Sequence, residues 1–252
     1  MRLTGNNGYT LAEIMVAMSI FMVLMVVVYS TANSVQRISS ALERKVAAKQ
    51  DVKPALDIMA MEIGMASYNP TFASNMWRTC KGISSCTDFD NCTDLSSKQE
   101  YRGIQEATDN SITIEMDIAG GTAGASDGNL GAENEIIHYE YVDNDHIGRE
   151  TSCSGGKQPF LGASSDNNRA IRVINGLLNP AIPVFRYFDA SGQPMTYGSG
   201  ATQLPAAIPD IRRIQITLAV ETQDVDPNTK RKRRLIYSTS VIPRNHVIPV
   251  MQ

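Results

Sequence analysis

The chain has 252 residues, 42% of them apolar and 19% charged, and a formal charge of −3. That length fits one core domain of about 150–200 residues with an appendage. The composition excludes wholesale disorder, and the charge excludes both a uniformly basic nucleic-acid coat and a strongly acidic tail protein. Three histidines and four cysteines leave little material for multi-metal chemistry.

The first predicted element is a long helix. Tyr9 to Ala32 is a run of 24 residues with one charge, Glu13. Between Ile14 and Val28 the only polar residue is Ser19. As a helix the run spans roughly 36 Å, enough for a hydrocarbon core of ~30 Å. A core helix of a water-soluble protein would keep a polar stripe, and this one keeps none. The run is too long for a removable secretory signal and continues without a break. No glycine occurs between Tyr9 and Ile63, and the only proline in that interval is Pro54. The second half of the helix must therefore project into water. Val35, Ile38, Leu42 and Val46 recur at helical spacing, and Val52, Leu56, Met59 and Ile63 do the same. This reads as one apolar stripe that docks on a globular domain or a neighbouring helix. Pro54 removes one backbone donor and predicts a kink; Gly64 and Asn69-Pro70 are stop signals.

Glu13 is out of place in such a segment. A carboxylate at the centre of a membrane helix costs ~2.5–3.5 kcal/mol. It either sits near the interface and reaches water, or is held for a partner amine.

The decapeptide Gly8-Tyr9-Thr10-Leu11-Ala12-Glu13-Ile14-Met15-Val16-Ala17 resembles the processing site of type IV prepilins and type II secretion pseudopilins. The resemblance implies that residues 1–8 are a leader ending in Gly8. It makes Tyr9 the methylated N-terminus after cleavage by a prepilin peptidase, and Glu13 the family glutamate. It also implies a pilin-like α+β fold: a membrane half of the helix over 9–32, an amphipathic half over 33–68, and a periplasmic β-rich domain over 69–252. Two departures favour a minor component over the main filament subunit. The first mature residue is Tyr, not the commoner Phe, and the helix-bending proline of major pilins is absent, with Ser30 near its place. The physical sense of the glutamate is that a buried carboxylate and a fresh amine, each costly in lipid, neutralise one another between neighbouring subunits and set axial register. A positive-inside count, with Arg2 before the run and Arg37, Arg44, Lys45 and Lys49 after it, favours the reverse topology. The N-terminus is nonetheless assigned to the cytoplasm, on the resemblance and on the cysteines.

After Pro70 the pattern becomes short and alternating. Strands are predicted at Ser111–Asp117, Glu135–Val142, His146–Thr151, Ala170–Ile174, Val184–Phe188, Ile211–Glu221 and Arg234–Ile242. Turns are predicted at Asp143–Asp145 and around Asp226-Pro227-Asn228. Together these read as a single antiparallel sheet packed on the helix stripe. The segments Phe185–Gly192, Ile211–Leu218 and Ser240–Asn245 are similar to the C-terminal half of PilW-type minor pilins and J-type pseudopilins.

Cys80, Cys86, Cys92 and Cys153 are even in number, and three lie in a polar loop over 78–93. In a periplasmic domain they are disulfide candidates, with three pairings open. Their spacing is not that of a zinc site. No catalytic motif is found: neither G-x-S-x-G nor H-E-x-x-H occurs, and Gly156-Lys157 lacks the upstream glycine of a phosphate loop. His138, His146 and His246 read as structural or solvated. No cofactor, metal or catalytic residue is assigned, and an enzyme is not expected. Asp143-x-Asp145 lacks the glycine and final glutamate of a calcium loop and reads as a hairpin turn. Lys230, Arg231, Lys232, Arg233 and Arg234 form a basic run in a region, 65–252, of 17 basic and 21 acidic residues. It reads as a solvated hairpin end, with acidic lipid, an acidic subunit or nucleic acid as alternative partners. The expected location is a single pass through the bacterial inner membrane and then the pilus or cell surface. The expected partners are other minor pilins and the major pilin.

Overall fold

The computed structural model describes residues 9–73, 77–79, 93–94, 103–118, 126–130, 132–151, 156–162, 171–195, 208–226 and 230–247. The architecture is α+β. One helix, α1 (Leu11–Gly64), is followed by strands β1 (Arg78–Thr79), β2 (Thr93–Asp94), β3 (Ile104–Ala107), β4 (Ser111–Glu115), β5 (Ile136–Val142), β6 (His146–Thr151), β7 (Gln158–Gly162), β8 (Ile171–Val173), β9 (Phe185–Phe188), β10 (Arg213–Val225) and β11 (Lys232–Val241).

The helix starts on a capping box. Thr10 Oγ accepts from the Glu13 amide at 3.3 Å, and the Glu13 carboxylate accepts from the Thr10 amide at 2.9 Å. Two donors that the helix start would orphan are thereby satisfied. The hydroxyls inside the apolar half bond back to the helix itself, Ser19 to the Met15 carbonyl and Thr31 to that of Val27. They need no water there. The helix is continuous through the exposed Pro54 and ends at Gly64, as its stop signal predicts. Asn69 then closes a turn, accepting from the Ala73 amide and donating to the Ala73 carbonyl.

The strands form two main sheets rather than the single sheet expected. The five-stranded sheet runs in the order β3-β4-β5-β6-β7, antiparallel throughout. In the second sheet β11 and β8 flank β10, and β9 pairs with β10 further along. The meander from β3 to β7 does not continue into β8. Instead β8 and β9 both reach forward to β10, a long strand that the hairpin with β11 holds in place. Strand β7 escaped the sequence reading because Pro159 sits in it, and a proline is tolerated there because β7 is an edge.

The inner faces of both sheets and the upper part of α1 share one core. Met59 and Ile63 meet Ile112, Ile114 and Tyr139 from one sheet and Phe185, Tyr187, Ile214, Ile216 and Leu218 from the other. Tyr187 on β9 crosses between the sheets and donates to the Thr108 carbonyl at 2.9 Å. Gly103 is required where the chain leaving the helix crosses the start of β3. Its φ is +75°, and a Cβ would lie 2.6 Å from the Ser67 amide nitrogen.

Asn175 fills the gap between β8 and β9. Its amide donates to the Thr217 carbonyl at 2.8 Å and the Ile182 carbonyl at 3.1 Å, and its carbonyl accepts from the Ala219 amide at 2.8 Å. A side chain thus stands in for a missing length of strand.

Candidate functional site

The site begins with the two halves of α1. Val52, Leu56, Met59 and Ile63 are buried in the core, as the stripe predicts. Val35, Ile38, Leu42 and Val46 are not: their exposures run from 45% to 64%. The expected single stripe is therefore two. From Val46 to Val52 the step is six residues, and at about 100° per residue the centre of the second stripe lies roughly 75° round the helix from that of the first. The domain covers the upper stripe and leaves the lower one open. Below it, every apolar side chain from Ile14 to Val28 is exposed as well. Among the described residues α1 is the one helix long and apolar enough to cross a membrane, and none of its apolar stretch is buried in the protein.

The upper half is also tied by charge. Glu62 is a half-turn before the helix end and largely buried. It accepts from Arg149 on β6 through Nη2 at 2.7 Å and Nε at 3.2 Å, and from the Tyr139 phenol on β5. Burial, then the Glu62 charge, push the Tyr139 phenol well above its ordinary value. Burial alone would lower the Arg149 guanidinium, but Glu62 and Tyr139 outweigh it and hold it above its usual range. A two-pronged arginine clamp of this kind is directional, so it sets the rotation of α1 against the five-stranded sheet. Sequence reading missed Glu62, because its partners lie 77 and 87 residues away.

Of the predicted site residues, Tyr9 is 85% exposed at the foot of the helix. Glu13 is the third residue of the helix and closes the capping box, a role that Thr10-x-x-Glu13 spells out in sequence. Gly8, Cys80, Cys86, Cys92 and Cys153 lie outside the described residues, as does the rest of the leader. The basic run is at a hairpin end. Lys230 has φ +55°, Lys232 opens β11, and all five side chains are exposed. Arg234 is paired with Glu221 at 3.0 Å.

The histidines take structural places. His138 is on β5, with Nδ1 2.8 Å from Thr113 Oγ1. His246 is buried in a terminal 3-10 turn, not solvated. Its Nε2 faces the Ile208 carbonyl at 2.8 Å and must donate there, leaving Nδ1 to accept from Ser67 at 3.1 Å. Asp143 and Asn144 both have positive φ, and the Asp145 amide donates to the Val142 carbonyl, a type I′ hairpin turn. Asp145 pairs with Arg172 at 3.0 Å. Among the described residues no group of three metal-ligating side chains converges.

Residues 3–29 match the family model of the prokaryotic N-terminal methylation motif. Among curated proteins no sequence matches. A type IV-like pilin from Thermus thermophilus is similar in structure at 9% identity, over 79% of this chain and 96% of that one, with a TM-score of 0.41. The chain carries the methylation motif at the start of a long helix whose far half packs on antiparallel sheet.

Proposed function

We propose that this chain is a non-catalytic minor pilin, PilW-like, acting in the initiation or tip complex of a type IV pilus. The observation that carries the reading is the methylation motif placed at the foot of a helix whose lower half is apolar and uncovered. A prepilin peptidase cleaves after Gly8, and Tyr9 becomes the methylated N-terminus. The helix over 9–32 then stands in the inner membrane, with the domain in the periplasm. On assembly Glu13 exchanges its Thr10 partners for the amine of a neighbouring subunit. The open stripe from Val35 to Val46 packs against the helices of other minor pilins and the major pilin. Each side chain of that stripe, once covered, contributes about 1.5–3 kcal/mol. The four cysteines carry two disulfides that pin the loop over 78–93.

The test has three arms. Mass spectrometry of the mature chain should find an N-methylated Tyr9 at its start; a chain still beginning at Met1 defeats the reading. Glu13→Ala should lose incorporation into the filament while the domain melts as before, and normal incorporation defeats the register role. Alkylation of the native exported protein should label no cysteine; four labelled thiols would refute the disulfides.

The same features suit the J-type subunit of a type II secretion pseudopilus, and the neighbouring genes separate the two. The exposed run from Lys230 to Arg234 favours a further reading as a tip adhesin or nucleic-acid-binding module. There, duplex binding should fall steeply with salt and vanish when the run is reversed in charge.

A further inference from the structure

The outermost strand of a sheet offers a row of unpaired amides and carbonyls to any extended chain, unless something blunts it. Most edges of this protein are blunted. β3 has four residues and a register shift between Ile104 and Glu106. β7 contains Pro159, and its register shifts opposite Ile147 and Gly148. β8 and β9 have three and four residues. β11 differs from all of these. It is the outer strand of its sheet, and its register with β10 is unbroken from Arg234 to Val241. That is a length of about 24 Å. From Leu235 to Val241 there is no charge, proline or glycine.

The bonds of β10 fix which groups of β11 are free. Ala219 turns its amide to Asn175 Oδ1 and its carbonyl to the Ile174 amide, both at 2.8 Å. Thr217 turns its amide to the Val184 carbonyl and its carbonyl to Asn175 Nδ2, again at 2.8 Å. Both residues therefore face away from β11. Their register partners, Ile236 and Ser238, make no backbone bond to β10, and by the alternation of an antiparallel ladder neither does Ser240. Amide and carbonyl of all three point to the open edge, and among the described residues none has a backbone partner there. The side chains on either side agree. Ile236 is 59% exposed on the outer face, and Leu235, Tyr237 and Val241 pack on the core yet stay half-buried. The core is not closed along this line.

A row of outward amides and carbonyls is complementary to another extended backbone. Side chains select which one. Apolar residues at every second position would finish covering Leu235, Tyr237 and Val241. Carboxylates at one end would meet Lys232 and Arg233, which have no acidic partner among the described residues, whereas Arg234 is paired with Glu221. A second copy of the chain fits badly. Aligned antiparallel about Ser238 it sets Arg244 beside Lys232, and aligned parallel it sets the basic run against itself. We infer that β11 receives a strand from a different exported protein, added antiparallel, apolar at alternate positions and acidic at the end beside Lys232. This goes beyond the assembly reading above, since it uses neither Glu13 nor the open stripe of α1.

The probe is the peptide acetyl-Thr-Val-Thr-Val-Thr-Val-Thr-Asp-Glu-amide, added to the full chain in detergent and followed by amide hydrogen exchange. Without peptide, the amides of Ile236, Ser238 and Ser240 should exchange fast and those of Leu235, Tyr237 and Thr239 slowly. The peptide should slow the first set at least tenfold. Methylating the alternate peptide nitrogens that face β11 should weaken binding at least tenfold, while methylating the other set should not. Exchanging the two acids for lysines should weaken it to a similar degree. Ser240→Pro should lose binding yet melt as wild type, because a proline whose nitrogen faces an open edge breaks no bond to β10. The methylated peptides put the same question to the unaltered chain. Failure of the peptide to bind, outward amides already slow in its absence, slowing that follows protein concentration alone, or equal binding of the two methylated forms each overturns the inference.

Discussion

The two halves of α1 are one continuous helix with two opposite surroundings. Above Val46 the stripe of Val52, Leu56, Met59 and Ile63 is sealed in the core, and Glu62 is gripped by Arg149 and Tyr139. Below that point the large apolar side chains are exposed, uncovered by any of the described residues. The upper half is stabilised by its own domain, so its faults should show as unfolding. The lower half gains nothing from the domain, so its faults should show only when another phase or another chain is present.

The largest effect should come from Glu62→Ala, which leaves the largely buried Arg149 charge with only the Asn134 side chain to receive it. A loss of about 3–5 kcal/mol is expected in denaturant unfolding of the full chain in detergent. If that loss is under 1 kcal/mol, the helix is not fastened where the clamp suggests.

Met59→Ala against Leu42→Ala sharpens the contrast most directly. The first opens a cavity in the shared core and should cost about 2–5 kcal/mol. The second should change the same unfolding curve by no more than about 0.5 kcal/mol. Equal effects would erase the distinction between the two halves.

Asn175 supplies a control remote from the helix foot. Asn175→Ala strands the Ala219 amide and the Thr217 carbonyl, and a loss of about 1–3 kcal/mol is expected. Hydrogen exchange should locate it in β10, with α1 protected as in wild type.

The smallest effect concerns Glu140. Burial works against its charge, but the Lys157 ammonium, with His138, holds the carboxyl below its ordinary value of 4.5. A depressed folded value contributes stability above the unfolded value and loses it as pH falls through the folded one. Lys157→Met should therefore remove a small acid-side slope, about 0–1 kcal/mol for a pair this exposed. Stability of the variant and the wild type should converge below that range, as melting at graded pH would show.

Much of this was legible without coordinates. The apolar run is readable because lipid demands an uninterrupted length of greasy residues, a property of the chain in one dimension. The alternation of Ser111–Glu115 and Ile136–Val142 was legible for a similar reason, since a half-buried strand has a period of two. The capping box was present too, as Thr10 followed three residues later by Glu13.

What tertiary structure alone decided is everything that depends on which segments meet. No periodicity could say that β8 and β9 share β10, or that Glu62 faces Arg149. Those pairings are chosen by the closing of one core around residues far apart in sequence. The six-residue step between Val46 and Val52 was written in the chain, yet its meaning came only with the sheets. Amphipathic spacing tells how wide an apolar face is; the packed partner determines which part of it is left for another molecule.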